Sequence, residues 1–206
     1  MQKHENKFGV VVLAAGASRR MGQPKLLLPW GKTTVIGHLL QQWSRLGASQ
    51  IAVVSAAGAK PLENELDRLD FPAANRIVNP APEQGMFSSI QCAANWPGWN
   101  SELTHWIVTL GDQPHLQDGT LRMLLNFSAG CPNKICQPLR AGRRKHPVLL
   151  PKGLFRALKT STVGDLKLFL TAHATDLAGY ASDDTSLDFD MDTPEDYERL
   201  KHLAVD

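Results

Sequence analysis

The sequence predicts an α/β fold: one domain on a mostly parallel central sheet. Three observations predict it. Apolar β-branched runs alternate with segments of helical periodicity along the whole chain. The first run, Phe8–Leu13, is apolar throughout with Val10, Val11 and Val12 at its centre, as a strand covered on both faces requires. No stretch reads as a linker, a repeat or low-complexity sequence, so residues 1–206 form a single domain with an ordered core over 8–206.

The elements follow in order. After the first strand, Thr33 or Thr34 caps a helix whose apolar positions are Val35, Ile36, Leu39, Leu40, Trp43 and Leu46. Gly47 sits where a left-handed cap ends it. Strand Ile51–Ser55, helix Pro61–Leu69 and strand Arg76–Val78 come next, then helix Met86–Trp96 and strand Trp106–Leu110. Asp118 caps a helix through Leu125. Extended runs at Ile135–Leu139 and Pro147–Leu150 flank a basic loop. Helices are expected at Gly153–Leu158 and Gly164–Ala172, and a last one starts at Pro194, a good first helical residue.

Composition bounds the function. Lys and Arg number 22 against 20 Asp and Glu, for a net charge of +2, and 43% of residues are hydrophobic. A chain of this length buries roughly 70% of its unfolded surface and needs no staple. Disordered, collagen-like and membrane classes are excluded, and near-neutrality argues against a nucleic-acid partner. No apolar run approaches the roughly 20 residues of a membrane span. Met1–Lys7 is polar with no apolar core behind it, unlike a secretory signal. Cys92, Cys131 and Cys136 fit no zinc-ligand spacing, so free thiols in a reducing cytoplasm are expected.

In sheets of this kind ligands bind beyond the carboxyl ends of the strands. The loop after Leu13 runs Ala14-Ala15-Gly16-Ala17-Ser18-Arg19-Arg20-Met21-Gly22-Gln23-Pro24-Lys25. Small residues let its backbone approach a ligand, and its amides can cradle phosphate. Arg20 offers a planar donor fork and Lys25 a mobile point charge. A Walker A loop fails, because five residues separate Gly16 from Gly22 and Gln23 follows. The dinucleotide fingerprint fails at Ser18, where it needs glycine.

Two acidic regions follow. Asp112 ends a strand in Gly111-Asp112-Gln113-Pro114, where a carboxylate can reach a metal in the crevice or merely terminate a turn. Asp188, Asp190 and Asp192 alternate along an extended segment and repel each other unless a cation lies near. An EF-hand is excluded: its sixth and twelfth positions, counted from Asp188, are Thr193 and Arg199. Thr193, Pro194 and Asp196 read as a helix start. Ser88 and Ser89 in Gly85-Met86-Phe87-Ser88-Ser89 can cap a helix or meet a base edge. Arg140-Ala141-Gly142-Arg143-Arg144-Lys145-His146-Pro147 is a dense basic loop.

Taken together, these blocks resemble the MobA-like nucleotidyltransferases. The string Ala-Ala-Gly-x-Ser-x-Arg-Met-Gly-x-x-Lys, followed by Leu26-Leu27-Leu28-Pro29, is similar to that family's first signature; Gly-Asp-Gln-Pro is similar to its second and Asp-x-Asp-Thr-Pro-Glu-Asp-Tyr to its last. The resemblance runs from Leu13 to Tyr197 and is nearest to the molybdenum-cofactor cytidylyltransferase branch. It implies a three-layer α/β/α, Rossmann-like domain of the nucleotide-diphospho-sugar transferase type. It implies that Leu13, Ala14, Ala15, Gly16, Ser18, Arg20, Lys25, Gly85, Ser89 and Asp112 bind the nucleotide, with Arg20 on the outer phosphates, Lys25 on the phosphate under attack, and Asp112 also catalytic. Asp112 and Asp190, with Asp192 as the alternative to Asp190, would hold Mg²⁺, or Mn²⁺ in its place. Arg143, Arg144, Lys145 and His146 would face the acceptor, although Lys145 stands where the family commonly has glycine. The reaction implied moves CMP from CTP to the phosphate of molybdopterin and releases pyrophosphate. A client molybdoenzyme or its chaperone would take the product. The alternatives are GTP as donor, a sugar or alcohol phosphate as acceptor, or a non-catalytic accessory protein for a molybdoenzyme.

Overall fold

A computed structural model describes residues 7–203. The last residues assigned to the ordered core, 204–206, and most of the polar Met1–Lys7 stretch lie outside the described residues.

The elements, in chain order, are strands β1 (Phe8–Ala14), β2 (Pro29–Trp30) and β3 (Thr33–Thr34), helix α1 (Val35–Arg45), strand β4 (Gln50–Ala56), helix α2 (Lys60–Arg68), strand β5 (Arg76–Asn79), helix α3 (Met86–Asn95), strand β6 (His105–Leu110) and helix α4 (Asp118–Gly130). Then come strands β7 (Ile135–Arg140), β8 (Arg143–Arg144) and β9 (Val148–Pro151), helices α5 (Lys152–Ala157) and α6 (Leu166–Ala172), strand β10 (Leu177–Ala181) and helix α7 (Pro194–Leu203).

The main sheet has the order β10-β7-β9-β6-β1-β4-β5, with β8 paired to β7. Strand β1 lies between β4 and β6, parallel to both, and β4–β5 and β7–β10 are also parallel. The exceptions are β9, which runs antiparallel to β6 and β7, and β8, which runs antiparallel to β7. A mostly parallel sheet is therefore observed.

The alternation of side chains along β1 explains the three layers. Val10, Val12 and Ala14 face one core, which also holds Leu39 and Trp43 of α1, Leu66 of α2, Leu121 of α4 and Leu200 of α7. Val11 and Leu13 face the other, with Ile90 of α3, Phe155 of α5 and Phe169 of α6. Helices thus cover both faces, as the continuous apolar run of β1 demands.

Local chemistry sets the helix ends. Thr34 is the α1 cap, accepting from Gly37 N, and Gly47 adopts the left-handed φ of +87° just past the helix. Asp118 does not cap α4; Gln117 holds that place. The Asp118 carboxylate instead accepts from Gln42 Nε2 at 3.1 Å. Helix α4 also continues to Gly130, five residues beyond the expected end at Leu125. The helix expected from Gly164 begins at Leu166, where the Asp165 side chain accepts from Leu168 N. The small β2–β3 hairpin and the edge strand β10 carry too little apolar alternation to be read from sequence.

Candidate active site

Strands β1 and β6 lie side by side with Leu13 in register with Leu110, so their carboxyl ends open together. The loop after β1 is anchored through buried Met21 and Leu26. Its turns require special backbone: Ser18 has φ +50° and Gly22 φ +70°. Ser18 Oγ accepts from Lys25 N at 3.3 Å, closing the loop. A cavity of about 970 Å³ lies against this loop and is lined by Ala14, Gly16, Ser18 and Pro82. A smaller one of about 320 Å³ contains Leu13, Lys25, Gly85, Ser89 and Asp112. The two share Ala14, Ala15 and Gly16, so the loop borders both.

The charges form a chain. Lys25 Nζ donates to Asp112 Oδ2 at 2.7 Å and to Asp192 Oδ1 at 3.4 Å. Arg20 donates to the other Asp192 oxygen at 2.8 Å. Two cations thus interleave with two carboxylates, and Lys25 is the least exposed, its side chain at 14%. Asp112 Oδ1 is buried and has no hydrogen-bond partner among the described residues.

Asp190 sits differently. Its Oδ1 accepts from Gln113 Nε2 at 2.9 Å. Loss of solvent around it pushes its carboxyl above the usual range, and the neighbouring charges of Asp112 and Asp192 push the same way. Of the two candidate acids, Asp192 is therefore the one in contact with Lys25 and Arg20, while Asp190 is held by Gln113.

The β6 loop grips the acidic segment at three points. Met191 N donates to Asp112 O at 3.0 Å, Gln113 holds Asp190, and His115 Nε2 lies 3.0 Å from Ser186 O. Gln113 and His115 were not singled out by sequence reasoning, although both lie within three residues of Asp112. Asp184 is structural: it accepts from Ser186 N and from the Thr120 hydroxyl. The reading of Thr193 and Asp196 as a helix start agrees with the structure, since Asp196 N donates to Thr193 Oγ1 and Thr193 N to Asp196 Oδ2.

In the smaller cavity Ser89 is buried, and its hydroxyl accepts from Asn79 Nδ2 at 2.9 Å. The Ser89 proton is thereby left for another acceptor. Ser88 is turned back onto the main chain, donating to Gly85 O at 2.7 Å.

The basic loop divides. Lys145 Nζ lies 2.7 Å from Asp188 Oδ1, and Arg140 Nε lies 3.5 Å from Asp188 Oδ2. Arg143 and Arg144 form the exposed strand β8. His146 is drawn inward: burial lowers its imidazole below the ordinary value, against the opposing effects of a Val108 backbone bond and the Asp112 charge.

A Rossmann-like sheet with phosphate-suited cations and paired carboxylates at its strand ends defines a nucleotidyltransferase. A family model for the MobA-like NTP transferase domain matches residues 10–176, and the chain belongs to that family. It is 27% identical to the molybdenum cofactor cytidylyltransferase of Escherichia coli over 190 residues, 91% of this chain and 92% of that one. It is 29% identical to the nicotine blue oxidoreductase of Paenarthrobacter nicotinovorans over 202 residues, 92% and 94% of the two chains. Among solved structures, Rv0371c of Mycobacterium tuberculosis in complex with manganese superposes with a TM-score of 0.71 at 24% identity, covering 95% of this chain and 98% of that one. The three-layer fold expected from the resemblance is thus observed. No helix among the described residues is long and apolar enough to cross a membrane.

Proposed function

We propose that this nucleotidyltransferase moves CMP from CTP to the phosphate of a molybdopterin-type acceptor and releases pyrophosphate. The observation that carries the reading is the interleaving of Lys25, Arg20, Asp112 and Asp192 at 2.7–3.4 Å beside the glycine loop. Similarity to the E. coli cytidylyltransferase over 91% of the chain supports the choice of substrates.

The residues fit a divalent cation. Asp112 offers a buried oxygen without a partner, and a carboxylate is the hard donor that Mg²⁺ or Mn²⁺ takes. No group of three His, Cys, Asp or Glu side chains suited to a metal occurs among the described residues. Asp112 with Asp192 or Asp190 would hold the ion, and phosphate oxygens would complete its shell. Such an ion supplies charge neutralisation for the reacting phosphates.

The chain's own groups do the rest. Loop amides and Arg20 bind the outer phosphates, Lys25 offsets charge growing on the α-phosphate, and Ser89 donates toward the base. The acceptor phosphate is already ionised at neutral pH, so attack on the α-phosphorus needs no general base. The oxidoreductase relative raises a second activity, but the transferase reading uses all four interleaved charges and needs no further group. The product would pass to a molybdoenzyme or its chaperone in the cytoplasm.

The test is pyrophosphate release across a panel of CTP, GTP, ATP and UTP, with Mg²⁺ or Mn²⁺ and with molybdopterin present or absent. Release with CTP and molybdopterin is expected. Failure to release pyrophosphate with any of the nucleotides sinks the reading, and release with GTP alone overturns the cytidylyl assignment.

A further inference from the structure

Asp192 is the one member of the charge chain that lies on neither strand-end loop. Asp112 follows β6, and Arg20 and Lys25 lie between β1 and β2. Asp192 belongs to the segment between β10 and α7, which touches both loops. Met191, the residue before it, is buried and donates its amide to Asp112 O at 3.0 Å. Thr193, the residue after it, is locked to α7 by its reciprocal bonds with Asp196. Wherever the start of α7 goes, Asp192 goes with it.

Helix α7 is in turn fastened to the lysine loop. Tyr197 is buried and donates its hydroxyl to Pro29 O at 2.7 Å. Pro29 lies four residues after Lys25 and opens β2. The Tyr197 ring packs beside Trp30, with centroids 6.4 Å apart. Leu26, Leu28, Trp30, Met191 and Leu200 share one core cluster with Tyr197. Apolar packing has no preferred direction, so it resists separation more than sliding. The hydroxyl bond is directional. Among the described residues, no other side-chain hydrogen bond joins α7 to residues 25–34.

We infer that Tyr197 is a positioning residue for the transfer: its hydroxyl, by fixing α7 to Pro29, sets how closely Asp192 approaches Lys25 and Arg20. The inference rests on the nucleotidyl-transfer reading, which uses that carboxylate. Without the bond, Asp112 keeps its 2.7 Å hold on Lys25, and the longer 3.4 Å contact from Asp192 is the one that gives.

Lysine labelling with acetic anhydride, read by mass spectrometry, tests this placement without metal or nucleotide. Lys25 is the sheltered ammonium, at 14% side-chain exposure, and Lys60, at 80%, is the reference. Tyr197→Phe keeps the ring and removes the hydroxyl. It should raise Lys25 labelling relative to Lys60 about threefold, with Lys145 unchanged. Asp192→Asn should raise it as much, and Tyr197→Phe added to Asp192→Asn should contribute less than about 1.5-fold more, because both act through one carboxylate. Asp165→Ala controls for lost stability, since it uncaps α6 on the opposite face of the sheet from α7. It should leave Lys25 at the wild-type rate. An unchanged Lys25 in Tyr197→Phe overturns the inference, as do multiplying effects in the double variant. A matching rise at Lys145, or in Asp165→Ala, would mean general loosening and overturn it too. In the transfer assay, Tyr197→Phe should need about fivefold more Mn²⁺ for half-maximal rate and recover most of the wild-type kcat at saturation. A loss of kcat that Mn²⁺ does not restore counts against it. If no nucleotide is turned over while the labelling results stand, the transfer reading fails and the placement of Asp192 by Tyr197 survives it.

Discussion

Lys25 and Asp112, 87 positions apart in sequence, meet at 2.7 Å where β1 and β6 end. Asp192 shares the same ammonium and also holds Arg20, so each charged group of the site already has a protein partner. On the proposed function, a phosphate would compete with the carboxylates for Lys25 and Arg20, and a metal on the unpartnered oxygen of Asp112 would weaken the hold of Lys25 on the same carboxylate. Bound together, the two ligands would exchange partners and leave no charge uncompensated.

Metal and nucleotide should accordingly bind with positive coupling. Calorimetry with Mn²⁺ should give at least about tenfold tighter binding in the presence of a non-hydrolysable CTP analogue, with the reciprocal gain for the analogue. Equal affinities would refute the exchange. Asp112→Ala should lose turnover while its thermal melt stays cooperative; unchanged turnover would remove Asp112 from the chemistry.

The raised pKa of Asp190 has a definite sign in stability. Between the unfolded and the folded values, the folded chain holds a proton that the unfolded chain has released, so this contribution is present at low pH and is lost as pH rises through the folded value. Asp190→Asn keeps an oxygen for Gln113 and removes the charge. It should melt higher than the wild type at pH 7, and the gain should vanish below about pH 4, where the unfolded carboxyl is also protonated. A gain that is constant from pH 4 to pH 8 would contradict the assignment.

Gly111 lies immediately before Asp112 and has no room for a side chain. A Cβ there would stand 2.7 Å from Leu13 O and 2.8 Å from Leu26 Cδ2. The first of these is sheet backbone and cannot swing away. Gly111→Ala should cost about 1–3 kcal/mol in urea unfolding and lower turnover by displacing Asp112. Wild-type stability would show that β1 and β6 separate more easily than the packing implies.

Thr34 caps α1 through Gly37 N and donates to Glu65 Oε1 at 2.6 Å. Thr34→Ala should destabilise by about 1 kcal/mol and Thr34→Ser by much less, as read by denaturant midpoints. Equal losses would show that the methyl group, not the hydroxyl, matters.

The fold was legible where one residue type decides it. The apolar run of β1 demands cover on both faces, and Thr34 and Gly47 mark the ends of α1. It was illegible where pairing depends on distant chain: β10 is a short edge strand, and nothing in Val148–Pro151 reveals that β9 runs backwards. At the site, spacing could nominate Asp188, Asp190 and Asp192 but not separate them. Their roles depend on Lys145, Gln113 and Lys25, residues that the fold brings from three other loops. The resemblance implied that Lys145 faces the acceptor; its ion pair with Asp188 is visible only once β7 and β8 place it there.

The reversal of β9 has a consequence for how this enzyme can diversify. Because β9 runs against both β6 and β7, the turn between β7 and β9 emerges at the same edge as the loops after β1 and β6. A tight hairpin, rather than a long crossover, overhangs the catalytic edge. Its residues can change in number and charge without disturbing β1, β4 or β5, which lie on the other side of β6. On the proposed function, donor and acceptor recognition would occupy separable parts of one sheet, and a graft of the 140–146 turn from a relative should retarget the second while leaving the first intact.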